Sequence, residues 1–96
     1  TGDPVAIYKK VSYRHIRKET DLVVTLIEGL GGPCAFLTDP VQGRDTIPIP
    51  VEEALAGAER VIAGAPTRRE LVIVDEEDLW DERWGTLTPD PERGVR

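Results

Sequence analysis

Apolar and polar residues alternate most clearly near the start of the chain. In residues 5–16, VAIYKKVSYRHI, Val5, Ile7, Val11 and Tyr13 share one parity, while Lys10, Ser12 and Arg14 take the other. Period-two patterning predicts a long half-exposed strand, with a helix as the competing reading. After the polar turn RKETD, the run LVVTLIE is β-branched and apolar on both parities, as in a strand covered on both faces. The two runs together suggest a hairpin. GLGGP then interrupts the chain, CAFLT predicts a short third strand, and DPVQGRD reads as a turn-rich loop. TIPIP fits only a sheet edge, because Pro48 and Pro50 have no N–H to give a ladder.

The pattern changes at residue 51. Val51, Ala54, Leu55, Ala58, Val61 and Ile62 form one apolar stripe at helical spacing. Pro50 preorganises the entry of this helix, Glu52 and Glu53 suit the positive end of its dipole, and Gly64 with Pro66 ends it, so it is expected over residues 51–63. ELVIVD is again apolar on both parities and predicts a central strand at 71–74, with the strand at 5–16 at an edge.

Next comes a second, shorter helix signal. Asp75 is a good N-cap, Glu76, Glu77 and Asp78 fill a first turn that favours anions, and Gly85 is a stop. The resulting helix has about ten residues, fewer than the ~12–15 needed for marginal stability alone. Trp80 and Trp84, both tryptophans of the chain, lie four residues apart on one face of it. They must anchor it, either to the protein's own sheet or to a partner. The expected fold class is α+β: a single small domain over residues 1–88 with about four strands in an antiparallel or mixed sheet. One main helix packs on that sheet, a short acidic C-terminal helix follows, and residues 89–96 form a polar, proline-containing tail.

Composition narrows the chemistry. Ninety-six residues support one core. One cysteine allows no internal disulfide, and with one histidine it cannot complete a structural zinc site. No cofactor or metal is expected. The apolar runs are too short to cross a bilayer, no leader pattern precedes the first strand, and a cytoplasmic protein without a membrane partner is the expectation. The net charge of −6 is unevenly placed. Lys9, Lys10, Arg14, Arg17 and Lys18 stand against Asp3 and Glu19 in the first twenty residues, whereas residues 70–82 hold seven acids and no base. A charge map this dipolar favours oriented encounters with a partner or a second copy.

From these features the expected function is non-enzymatic: a small acidic protein-interaction or regulatory domain that binds a protein partner or a second copy of itself as a homodimer. Trp80 and Trp84 are the expected apolar anchors, Asp78, Asp81 and Glu82 the charged rim, and Lys9, Lys10, Arg14, Arg17 and Lys18 a second surface. Two other classes compete. The basic run with Tyr8 and Tyr13 resembles a nucleic-acid surface and the acidic face a mimic of a phosphate backbone, although the overall acidity makes nucleic acid an unfavoured partner. Cys34 could act as a nucleophile if a base activated it, and His15 is the only histidine. Gly29, Gly31 and Gly32 are explained by a turn, since the dinucleotide fingerprint lacks its third glycine and its helix.

Overall fold

The computed structural model describes residues 7–65 and 69–89. Among these, seven strands form one mixed sheet with a single α-helix packed on it. The strands are β1 (Ile7–Lys10), β2 (Asp21–Gly29), β3 (Gly32–Asp39), β4 (Arg44–Asp45), β5 (Ile49–Pro50), β6 (Glu70–Val74) and β7 (Thr86–Pro89); the helix α1 is Val51–Gly64. Their order across the sheet is β4-β3-β2-β6-β1-β7, with β5 also on the outer edge of β3. α1, the edge position of Ile49–Pro50 and the central position of β6 agree with the sequence pattern.

The strand pairing differs from the expected one. β2 pairs antiparallel with β3, Val23 facing Thr38 and Gly29 facing Gly32, so the hairpin is made by GLGGP and not by RKETD. Gly32 has φ +122°, and a side-chain carbon on Gly29 would lie 2.8 Å from Cys34 Sγ. Both glycines are therefore required by the turn. β1 runs parallel to both β6 and β7 and is interior, not an edge. β2 is parallel to β6 as well.

Parallel neighbours need crossovers, and these decide which face of the sheet each connection covers. The connection from β1 to β2 must pass β6, and it does so on the face away from α1. There Val11, Val23, Val72 and Val74 are buried together, with Ile16 packed against them. Residues 13–15 of this connection form a 3₁₀ turn, which ends the expected strand at Lys10. On the opposite face α1 buries Val51, Ala54, Leu55 and Ala58 against Leu22, Val24 and Leu26 of β2, Ala35 and Leu37 of β3 and Ile73 of β6. β6 is apolar on both parities because it is covered on both sides, and β2 is covered on both sides at its first half, where Val23 is buried on the far face.

The connection from β6 to β7 must cross β1, and here the expected acidic helix does not form. Asp75, 2% exposed, accepts hydrogen bonds from the backbone N–H groups of Leu79 and Trp80, both at 2.8 Å. Those donors lie four and five residues on, beyond the reach of a helical N-cap, and Asp78 takes φ +58°. A left-handed residue ends a helix. Only Glu82–Trp84 coils, as a 3₁₀ turn capped by Asp81. Trp80 stands edge-on to Tyr8 of β1 and to Trp84, with ring centroids 5.4 Å apart in each pair. The two indoles fill the place over β1 that a crossover helix would otherwise occupy.

Trp84 is 9% exposed and lies in the α1-side core. Trp84→Ala should cost about 3–5 kcal/mol of stability. Its Nε1 is buried without a hydrogen-bond partner among the described residues, so Trp84→Phe, which also removes that donor, should recover most of the loss. Urea unfolding of the two variants measures both effects.

Candidate functional site

The residues singled out by the sequence fall into three places. Trp80 and Trp84 both turn toward the protein's own sheet. Trp80 is half-buried, and its Nε1 donates to the Gly85 carbonyl at 3.0 Å. Asp78, Asp81 and Glu82 are exposed on the outside of that connection, and Asp81 pairs with Arg83 at 3.4 Å. The indoles therefore hold the acid-bearing segment to the sheet from beneath. The basic residues separate. Lys9 approaches Glu70 at 3.7 Å, Lys10 ends β1 opposite Ile73, and the exposed Arg17 gives its backbone N–H to Asp21. Arg14 and Lys18 line a cleft with Tyr13, Val23, Phe36 and Thr38.

That cleft, about 490 Å³, opens on the sheet face away from α1. Its floor comes from the alternation of the β2–β3 hairpin. Leu22, Val24 and Leu26, paired with Leu37 and Ala35, point to α1, so Val23, Thr25 and Ile27, paired with Thr38, Phe36 and Cys34, point the other way. The β1–β2 connection covers the β6 part of this face and stops there. Thr25, Ile27, Cys34, Phe36 and Thr38 remain half-buried, and among the described residues no second layer lies over them.

A second cleft of about 430 Å³ continues along β2 on the same face. It is lined by Thr25, Ile27, Glu28 and Val74, with Glu76 and Glu77 from the connection after β6. Thr25 belongs to both clefts. One end of the open face thus carries Arg14 and Lys18, with Asp45 on its rim, and the other carries Glu76 and Glu77. Among the described residues none of these five side chains enters an ion pair. Sequence reading found the charge asymmetry but missed this surface. Its signal is the period-two set Val23, Thr25, Ile27 facing Cys34, Phe36, Thr38, which acquires a direction only once the hairpin and the crossovers are known.

Cys34 lies on this face, its Sγ 3.7 Å from the Gly32 carbonyl. His15 belongs to the 3₁₀ turn of the β1–β2 connection. Among the described residues no group of three His, Cys, Asp or Glu side chains gathers to hold a metal, and no helix is long and apolar enough to cross a membrane.

A buried ion pair lies elsewhere, under a cleft of about 520 Å³ between the end of α1 and the loop after β3. Arg69, 8% exposed, pairs there with Asp39 at 2.7 Å and donates to the carbonyls of Thr20 and Asp21, each at 3.2 Å. A second contact to Asp39 at 3.4 Å makes the pair bidentate. Four of the five guanidinium hydrogens are thereby engaged, which makes Arg69 a clamp joining β3 to the start of β2. The hydrogen bonds from Arg69 hold the Asp39 carboxyl below its ordinary range, against burial, which pushes the other way. Tyr8 is shifted upward, by burial first and then by Glu59, whose Oε1 lies 3.4 Å from its hydroxyl.

No family model, no curated protein and no solved structure matches this chain.

Because the folded pKa of Asp39 lies below its unfolded value, the clamp contributes fully at neutral pH and its contribution is lost as pH falls through the folded value. Asp39→Asn leaves the guanidinium buried without its counter-charge and should cost about 3–5 kcal/mol at neutral pH. That deficit should shrink on acidification below the ordinary carboxylate range. Urea melts across pH check both the size and the slope.

Proposed function

We propose that the protein is a non-enzymatic protein-interaction domain whose contact surface is the open sheet face. The observation that carries this reading is the pairing of half-exposed apolar side chains, Ile27 and Phe36, with unpaired charges of opposite sign at the two ends of one face. Apolar contact in the middle of an interface supplies most of its binding energy, while a charged rim sets orientation and encounter rate. The exposed acids Asp78, Asp81 and Glu82 extend the negative end of the rim. Trp80 and Trp84 serve this surface indirectly, by fixing the acidic connection in place.

The experiment places a benzophenone amino acid at position 36 or, as a control, at Glu53 on the exposed side of α1, and irradiates cells expressing each form. Position 36 should give a defined adduct that position 53 does not. The adduct's partner, purified, should bind wild type at least tenfold more tightly than Phe36→Glu, a difference of about 1.4 kcal/mol. Equal labelling from the two positions, or binding unaffected by Phe36→Glu, would contradict the reading.

A further inference from the structure

The two clefts on the open face share a residue, and their charges are opposite. Arg14 and Lys18 sit beside the Val23–Thr38 row of the hairpin, and Glu76 and Glu77 beside Ile27 and Val74. Thr25 lies between them along β2 and lines both. A two-fold axis lying in the plane of the interface and passing Thr25 exchanges the two ends. The basic cleft of one molecule then meets the acidic cleft of the other, twice, while Phe36 and Ile27 of each copy close over the centre. An isologous contact requires one patch to complement itself under such an axis, and a patch divided into opposite charges about a shared midpoint has that property.

Resting on the reading above that this face is the contact surface, we propose that its occupant is a second copy of the same chain. The dimer stacks two sheets face to face, each with α1 on its outer side, and so supplies the second layer that the described residues of one chain do not provide. Asp45, on the rim of the basic cleft, reduces the attraction there without reversing it: two bases face two acids in each half of the contact. With a net charge of −6 on each chain, long-range repulsion opposes association, so the local pairing and the apolar centre must supply the driving force.

Charge reversal tests the arrangement because it predicts rescue as well as loss. In sedimentation equilibrium the wild-type chain should show a reversible monomer–dimer equilibrium. Arg14→Glu/Lys18→Glu leaves both ends acidic and Glu76→Lys/Glu77→Lys leaves both ends basic; each should dimerise at least tenfold more weakly. An equimolar mixture of the two should associate as a heterodimer at least as strongly as wild type, since every end then meets its opposite. A wild type that stays monomeric at all concentrations, or reversed chains that fail to associate with each other, would overturn the proposal. If wild type is monomeric while position 36 still cross-links to a different polypeptide that depends on Phe36, the second copy is excluded and the contact surface stands.

Discussion

The constraint on which this structure turns is coverage. A sheet of seven strands has two faces, and the described chain supplies one α-helix. α1 covers the β3–β2–β6 part of one face, and two short connections cover what α1 cannot reach. Residues 11–20 cross β6 on the far side, and residues 75–85 cross β1 on the near side. Neither is long enough to be a full crossover helix. Each compensates with large apolar residues, Val11 and Ile16 in the first, Leu79, Trp80 and Trp84 in the second. Among the described residues, what is left without cover is the far face of the β2–β3 hairpin beyond Val23.

Short connections also concentrate buried polar groups, because their backbone donors have no ladder to join. Buried aspartates meet this need in three places. Asp21 accepts the Arg17 N–H at 2.7 Å where the first connection enters β2, Asp75 takes two N–H groups at the start of the second, and Asp39 takes the Gln42 N–H at the end of β3. Arg69 links two of these corners through Asp39 and the Asp21 carbonyl. An acidic composition is thus partly structural: some carboxylates hold turns, and others remain on the surface to carry charge.

Legibility in the sequence follows the same division. α1 was readable because its stripe and its end signals are local, and β6 because a run apolar on both parities belongs inside a sheet. The α+β class follows from those two. Partner strands were not readable: whether LVVTLIE pairs with the run before it or the run after it depends on which turn closes, and RKETD and GLGGP both look like turns. The expected helix at 75–84 failed for a related reason. Asp75, the acids after it and Trp80 four residues before Trp84 are sound helix signals, but the chain has eleven residues in which to cross β1. Burial of both indoles over Tyr8 overrides the local preference. The charge asymmetry was visible from the residues alone, whereas its division across one sheet face required the topology.

The account therefore rests on one surface being uncovered in the single molecule and covered on association. Hydroxyl-radical footprinting of the wild-type chain, dilute and concentrated, addresses both halves, with Phe36 compared against Tyr8, which is 8% exposed in the core. Phe36 should oxidise much faster than Tyr8 in dilute solution and become protected on concentration, while Tyr8 stays slow throughout. A Phe36 as slow as Tyr8 when dilute, or one whose rate is unchanged by concentration, would contradict the account.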